Sequence, residues 1–262
     1  MRIFANCQGI FVQEIFQWKI AVKNCGKVIC KSEKVNHWKM VTETENIFLF
    51  VPNLIGYARI ILALISFWFM PTNYVIAGWC YIISVFLDCL DGHAARHFNQ
   101  CTKFGAVLDQ LTDRCGTMCL LVTLSYFYPK YMFLFQVSMA IDISCHWIYT
   151  HTSLLQGKSS HKFVDANESA IMRIYYTKNV LFTMCVGNEL FYAALYLLYF
   201  TPGPIILGLS FFKLVAIVCA PVAIAKTFIS LVHCRVACQN LGIIDTNERL
   251  EAKQKDLAKK AE

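Results

Sequence analysis

Charged residues are scarce in this chain of 262 residues. They make up 16 % of it, whereas a soluble domain carries about 25 %. Apolar residues account for 57 %, which is more apolar surface than one water-facing globule of this size can hide. The composition therefore excludes an ordinary soluble domain, and it predicts an all-α protein that crosses a membrane several times.

Paired cysteines of the kind that hold zinc are also missing, although the chain has 13 cysteines. No CxxC pair occurs together with a second His or Cys pair, so a zinc site is not expected. Many thiols, such as Cys80 and Cys219, lie inside apolar stretches. This placement favours buried free thiols over a disulfide framework.

The beginning of the chain lacks the short apolar segment and small-residue cleavage site of a signal peptide. Residues 1–42 mix apolar and basic residues without a span of adequate length, so we predict an extension outside the functional core. Met40 is a candidate start of that core. We expect the membrane domain at residues 43–240 and a charged cytosolic tail at residues 241–262.

Six apolar stretches are long enough for membrane-spanning helices, which need about 20 residues each. They cover residues 49–70, 74–95, 105–127, 131–152, 178–200 and 205–233. The segment from Glu45 to Asn53 fits either a short interfacial helix before the first span or the beginning of that span. The predicted fold is thus six transmembrane helices with a short interfacial helix before the first.

Basic residues collect on one side of the predicted spans. The N-terminal region, the second-to-third loop, the fourth-to-fifth loop and the tail carry most of them, whereas the opposite loops hold Lys130 and little else. Because six spans put both termini on the same side, both are expected in the cytosol. The net charge of +7 then reflects cytosolic loops and anionic headgroups, and no nucleic-acid partner is expected.

Carboxylates are almost absent from the first three stretches. Between Asn46 and Ile141 the only acidic residues are Asp88, Asp91, Asp109 and Asp113. A charge within a membrane segment costs about 2.5–3.5 kcal/mol on insertion scales, and four carboxylates also repel one another. Such a cluster persists only when something cationic compensates it. Arg59, an isolated cation in the first stretch, is expected to pair with one of these carboxylates or with a bound phosphate.

The spacing of the aspartates indicates which cation they bind. Asp88 and Asp91 are three residues apart, and Asp109 and Asp113 are four apart, so each pair shares one helix face. A short connection should make the two helices antiparallel neighbours with the pairs facing each other. Oxygen ligands without cysteine suit Mg²⁺ or Mn²⁺, and four carboxylates are enough for two ions. Enzymes that catalyse in-line displacement at phosphorus often use two such ions to stabilise the attacking and leaving oxygens.

The residues between the two pairs favour a phosphate ligand. Gly92 and Gly105 leave room for close approach of a backbone or a ligand. Arg96 offers a planar fork to a phosphate, and Thr102 offers a hydroxyl in the loop. A structural ion pair alone does not explain this combination of residues.

This segment resembles the signature of the CDP-alcohol phosphatidyltransferases. It reads Asp88-Cys-Leu-Asp91-Gly92-His-Ala-Ala95-Arg96, then eight residues to Gly105, then Asp109 and Asp113. Segments outside the signature resemble the eukaryotic phosphatidylinositol synthase branch of that family: residues 51–59, 146–147, 160–162, 173–176 and 187–192. The resemblance covers about residues 43–240.

The resemblance implies a six-helix enzyme, usually a homodimer, in the endoplasmic reticulum membrane with its active site facing the cytosol. Its donor would be CDP-diacylglycerol and its acceptor myo-inositol. The four aspartates would bind two ions, Mg²⁺ or Mn²⁺, and Asp113 would also be the catalytic base. Gly92, Arg96 and Thr102 would hold the CDP-diacylglycerol headgroup, with Asn53 lining the nucleotide pocket.

The acceptor is less well defined by the sequence. Arg173, Lys162 and His161 are candidate contacts for a polyhydroxylated acceptor, although loop lysines often only set orientation. The signature does not separate inositol from serine, glycerol 3-phosphate, choline or ethanolamine. An ion channel or transporter is a further alternative, but its acids would follow a pathway or repeat in two halves.

Overall fold

The computed structural model describes residues 46–156, 175, 177–206 and 208–261, and most of these residues are helical. Six α-helices occur in these ranges: α1 (Val51–Phe69), α2 (Tyr74–His97), α3 (Lys103–Phe127), α4 (Met132–Leu155), α5 (Lys178–Phe200) and α6 (Phe211–Ala261). Each predicted apolar stretch forms one of them, so the all-α prediction is confirmed. The predicted extension at residues 1–42 lies outside the described residues.

Short elements join the helices. Single 3-10 turns at Ile47–Leu49 and Pro129–Tyr131 precede α1 and α4. A two-residue strand β1 (Ile205–Ile206) pairs antiparallel with β2 (Leu209–Ser210) before α6. Ile47–Leu49 exposes three consecutive apolar side chains, as expected of an interfacial segment.

Four of the helices are long and apolar enough to cross a membrane, namely α1, α2, α5 and α6. The helices α3 and α4 pass the same test only together, and they are bent by 119° at the break between them. Counting that pair as one span gives five spans within the described ranges. The chain is therefore a membrane protein, whereas the number of six spans stays a prediction.

The long helix α6 includes both the end of the predicted membrane domain and the predicted charged tail. It runs without a break from Phe211 to Ala261 and contains Pro221. Its last turns are charged and exposed, as expected of a solvated tail. The proposed boundary at residue 241 thus falls inside one continuous helix.

The helix α1 lies against both helices that carry the four aspartates. It packs along α2 and also contacts α3, whereas α2 and α3 approach each other more loosely. Ser66 donates to the carbonyl of Ala77 at 2.8 Å, and Ser84 donates to the carbonyl of Arg59 at 3.1 Å. The short connection therefore does not make α2 and α3 closely packed neighbours, because α1 lies against both.

Two apolar clusters hold the bundle together at opposite ends. The larger cluster lies where α1, α3 and α5 end and where α2 and α4 begin, and it is centred on Leu121, Leu124 and Tyr196. The smaller cluster joins the end of α4, the beginning of α5 and the middle of α6 around Tyr149 and Ile229. The aspartates lie near the C-terminal end of α2 and the N-terminal end of α3, away from the larger cluster.

Candidate active site

The four aspartates converge on one buried arginine. Arg59 Nη2 lies 2.7 Å from Asp88 Oδ1 and 2.8 Å from Asp113 Oδ1. Its Nη1 lies 2.8 Å from Asp91 Oδ2 and 2.8 Å from Asp109 Oδ1. Arg59 is only 2 % exposed. The expected pairing of Arg59 with a carboxylate is confirmed, and it extends to all four.

One guanidinium does not balance four carboxylates. The cluster keeps an excess of negative charge inside the helices: Asp91 and Asp109 lie about 9 Å from the helix ends, and Asp88 and Asp113 lie about 14–15 Å from them, at 1.5 Å per residue. Uncompensated carboxylates in a membrane helix are costly. The arrangement therefore attracts additional positive charge.

Three of the carboxylates are arranged as a metal site would require. Ligand oxygens of Asp88, Asp91 and Asp109 all lie within 4.8 Å of one another. Asp113 stands outside this set of three, and its side chain is the most exposed of the four at 43 %. Hard carboxylate oxygens around a position that already accommodates a cationic group fit Mg²⁺ or Mn²⁺.

Thr102 and Asn53 shape the beginning of α3. Thr102 is the N-cap of this helix, and its hydroxyl accepts a hydrogen bond from the Gly105 amide at 2.9 Å. Asn53 is fully buried, and its Nδ2 donates to the carbonyl of Ile47 at 2.6 Å. A Cβ at Gly105 would lie 2.8 Å from Asn53 Oδ1 and 3.1 Å from Thr102 Oγ1. Gly105 therefore lets the Asn53 and Thr102 side chains come close together, and the predicted approach of a backbone or a ligand at this glycine stays a prediction.

The remaining predicted site residues lie either in the last turns of α2 or outside the described residues. Gly92 follows Asp91 on α2, and Arg96 is half-buried in the last turn of that helix. Arg173, Lys162 and His161, the candidate acceptor contacts, lie outside the described residues.

A second polar network lies one to two turns deeper in the bundle. Glu189 on α5 accepts a hydrogen bond from the Tyr81 hydroxyl at 3.0 Å and from the Thr117 hydroxyl at 3.0 Å. Beside it, Arg114 Nη1 contacts the two carboxylate oxygens of Asp142 at 2.7 and 2.8 Å. The sequence predicts interhelical hydrogen bonding for Glu189 without naming its partners, and it does not predict the pair of Arg114 and Asp142. Charged residues are rare inside apolar stretches, and they require partners there. The presence of Glu189, Arg114 and Asp142 in such stretches was therefore the signal that could have indicated these contacts.

Four carboxylates around the buried Arg59, split between two helices of a membrane protein, are compatible with a metal-dependent phosphotransfer site. The chain belongs to the CDP-alcohol phosphatidyltransferase family, whose sequence profile matches residues 49–200. This match contains all four aspartates together with Asn53, Arg59 and Thr102.

Close relatives share one enzyme name, CDP-diacylglycerol–inositol 3-phosphatidyltransferase. The Drosophila melanogaster protein is 60 % identical over 215 residues, which is 82 % of this chain and 95 % of the relative. The Homo sapiens protein is 50 % identical over 210 residues, covering 80 % of this chain and 99 % of the relative. The Schizosaccharomyces pombe protein is 42 % identical over 226 residues, covering 80 % and 95 %. No solved structure matches the chain significantly.

Proposed function

We propose that this protein transfers the phosphatidyl group of CDP-diacylglycerol to myo-inositol, which yields phosphatidylinositol and CMP. Family membership supports the phosphatidyl transfer, and the shared name of the relatives supports inositol as acceptor. The observation that carries the proposal is the convergence of four aspartates on one buried cationic centre.

In the proposed reaction an inositol hydroxyl oxygen forms a bond to the phosphorus that bears diacylglycerol. The bond between this phosphorus and the bridging oxygen of the pyrophosphate breaks, and CMP leaves with the electron pair. The hydroxyl proton passes to the carboxylate of Asp113 as general base. Asp113 suits this role because it is the most exposed carboxylate of the cluster and stands outside the set of three closest oxygens.

The other aspartates serve the donor. Asp88, Asp91 and Asp109, with Asp113 at the edge, would hold two Mg²⁺ or Mn²⁺ ions. When bound, these ions neutralise charge on the pyrophosphate and make CMP a better leaving group. Positioning and charge neutralisation supply most of the acceleration in phosphoryl transfers. All four carboxylates thus take part in charge neutralisation, and Asp113 serves in proton transfer as well.

The CDP-diacylglycerol headgroup would lie against the corner where α2 ends and α3 begins. Arg96 and Thr102 would contact its phosphates, Gly92 would allow close approach, and Asn53 would line the nucleotide pocket. The Thr102 hydroxyl already caps α3, so its position at this corner is fixed by the helix itself.

The membrane setting follows from the two substrates. The donor is anchored by acyl chains, whereas inositol and CMP are soluble, so a site near helix ends reaches both. We place this end and both termini in the cytosol, with the protein in the endoplasmic reticulum membrane as a homodimer. Arg173, Lys162 and His161, which the charge pattern of the sequence assigns to a loop on the same side, would contribute acceptor contacts.

The decisive experiment offers several acceptors in competition. Purified protein is incubated with CDP-diacylglycerol and Mg²⁺ or Mn²⁺, together with labelled inositol, serine and glycerol 3-phosphate. Label entering lipid from inositol alone is the expected result. Incorporation from serine or glycerol 3-phosphate would identify another acceptor, and no transfer from any acceptor would contradict the proposed enzyme activity.

A further inference from the structure

The carboxylate of Glu189 lies between the two helices that carry the four aspartates. Glu189 belongs to α5, and its Oε2 accepts a hydrogen bond from the Tyr81 hydroxyl of α2 at 3.0 Å. Its Oε1 accepts a hydrogen bond from the Thr117 hydroxyl of α3, also at 3.0 Å. One side chain of a third helix therefore joins α2 to α3.

The two partners of Glu189 lie on the same helix faces as the aspartates. Tyr81 precedes Asp88 by seven residues, which is about two turns of α2. Thr117 follows Asp113 by four residues, which is about one turn of α3. The short connection at residues 98–102 joins the two aspartate-bearing faces at one end, and Glu189 joins them at the other end.

The spacing of α2 and α3 matters because the predicted metal ligands come from both helices. Ligand oxygens of Asp88 and Asp91 on α2 and of Asp109 on α3 lie within 4.8 Å of one another. Mg²⁺ requires a nearly ideal octahedron with oxygens at about 2.0–2.1 Å, so a small shift of one helix against the other disrupts the ligand set. Since α2 and α3 pack loosely against each other, other groups must fix their spacing.

Arg59 and Glu189 join the two helices in different ways. The guanidinium of Arg59 contacts carboxylate oxygens of both helices, and these are the oxygens that metal ions would bind. Glu189 makes its two hydrogen bonds to hydroxyl groups instead. The link through Glu189 therefore does not compete with metal ions for the aspartates.

The position of Glu189 does not suit a further metal ligand. Among the described residues, the carboxylates whose oxygens approach one another closely are those of Asp88, Asp91 and Asp109, without Glu189. Both oxygens of Glu189 already accept hydrogen bonds. The Thr117 hydroxyl also lies 3.3 Å from the backbone carbonyl of Asp113, so the link extends to the backbone that carries the proposed base.

We infer that Glu189 is a positioning residue, which holds α2 and α3 at the spacing that the metal-binding aspartates require. It acts through Tyr81 and Thr117 and contacts neither an ion nor a substrate. The inference rests on the proposed function, since that function requires the metal ions. It concerns the affinity of the site for those ions and is independent of which acceptor is used.

The test compares two substitutions that remove the same charge from the full-length protein. Glu189→Gln keeps both hydrogen bonds, because its amide oxygen accepts from one hydroxyl and its amide nitrogen donates to the other. Glu189→Leu removes both. We expect the Kd for Mn²⁺, measured on folded protein by electron paramagnetic resonance, to be about tenfold to a hundredfold higher in Glu189→Leu than in Glu189→Gln. The kcat at saturating Mn²⁺ should recover in both variants, because the aspartates are unchanged.

A second pair of variants covers the case in which Glu189→Leu does not fold. Thr117→Val keeps the shape of the side chain but removes the hydroxyl, whereas Thr117→Ser keeps the hydroxyl. The Kd for Mn²⁺ should rise about threefold to tenfold in Thr117→Val and stay within about twofold in Thr117→Ser. Thr123→Val is the matched control on the same helix, because the Thr123 hydroxyl donates to the Cys119 carbonyl within α3 at 3.0 Å. Its Kd for Mn²⁺ should equal that of the unaltered protein.

Equal Kd values for Mn²⁺ in Glu189→Gln and Glu189→Leu, or an unchanged Kd in Thr117→Val, would overturn the positioning role. A rise in Thr123→Val as large as that in Thr117→Val would also overturn it, because a general loss of stability would then explain both. Failure of the unaltered protein to use inositol, with Mn²⁺ still bound, would instead contradict the proposed function, and the comparison of Mn²⁺ affinities would still decide the role of Glu189.

Discussion

Two buried ionic groups in this bundle differ in how their charges are balanced. Around Arg59, four carboxylates share one guanidinium. Directly after Asp113 on α3, Arg114 faces a single carboxylate, that of Asp142, in contact with both of its oxygens. Both groups lie within helices that are otherwise apolar, so their surroundings alone do not explain the difference.

The imbalance distinguishes a ligand site from a structural pair. A one-to-one ion pair carries no net charge and can join two helices without any ligand. A cluster with excess negative charge is stable in a membrane only with further cations, which makes it a binding site. The comparison predicts that changes at the Arg59 cluster alter ligand binding and catalysis, whereas changes at the Arg114 pair alter stability.

The largest effect is expected from Asp113→Asn. An amide cannot accept the hydroxyl proton, so kcat should fall about 10²- to 10⁴-fold, the usual contribution of a general base. Incorporation of labelled inositol into lipid measures this loss. Mn²⁺ binding should persist, because Asp88, Asp91 and Asp109 remain.

Asp88→Asn is the matched comparison for that prediction. It removes one oxygen of the set of three, so Mn²⁺ affinity and turnover should fall together. Near-normal turnover of Asp113→Asn with intact Mn²⁺ binding would exclude the base role of Asp113.

The next effect concerns Arg59→Met in chelator-treated protein. Removing the cation leaves four mutually repelling carboxylates unpaired, which should lower the free energy of unfolding, by less than the roughly 3–5 kcal/mol of a fully buried pair because the carboxylates are partly exposed. Mn²⁺ should restore more stability to this variant than it adds to the unaltered protein, because it replaces the missing positive charge. Unfolding in mixed detergent micelles, with and without Mn²⁺, measures both changes.

Arg114→Met sharpens this prediction. It breaks the balanced pair with Asp142 and should also destabilise the bundle, but added Mn²⁺ should not compensate selectively. Equal rescue of both variants by Mn²⁺ would contradict the distinction between the two ionic groups.

A smaller effect is expected from Gly105→Ala. The added Cβ would lie 2.8 Å from Asn53 Oδ1, so Asn53 and the Thr102 cap must shift. The KM for CDP-diacylglycerol should rise about tenfold, which corresponds to roughly 1.4 kcal/mol of lost binding. Steady-state kinetics with varied donor measure it.

Gly78→Ala is the control for this change. No atom lies within 4 Å of a Cβ at Gly78. Donor KM should therefore stay unchanged, and stability should rise slightly because alanine favours a helix. An equal KM for CDP-diacylglycerol in Gly105→Ala and Gly78→Ala would show that the residues around Gly105 do not bind the headgroup of this donor.

The smallest effect is expected from Tyr81→Phe in the deeper network. It removes one hydrogen bond to Glu189, whose other oxygen still accepts from Thr117. The free energy of unfolding should fall by about 1 kcal/mol, with kcat nearly unchanged. A large loss of kcat at normal stability would show that this network also takes part in catalysis.

Much of the site was predictable because its information is local in the chain. Spacings of three and four residues place Asp88 with Asp91 and Asp109 with Asp113 on helix faces. The cost of carboxylates in apolar stretches predicts a cation partner. The break between the apolar stretches 49–70 and 74–95 is also local, since the side chain of Asn73 caps α2 by accepting from the amides of Val75 and Ile76.

Other features depend on contacts between distant parts of the chain. Direct packing of α2 against α3 was expected from their short connection, but α1 lies against both helices instead. Glu189 meets Tyr81 and Thr117 across 108 and 72 residues. No spacing within a helix predicts such partners, because they follow from how helix surfaces pack.

The sequence by itself determined the class of this protein and the identity of its acidic site. Apolar length, charge scarcity and helical spacing are properties that each segment carries alone, so they can be read along the chain. Only the tertiary structure decided that one arginine of α1 reaches all four aspartates and that Asp113 is the most exposed of them. These depend on the packing of several helices, which fixes distances between residues that no local pattern relates.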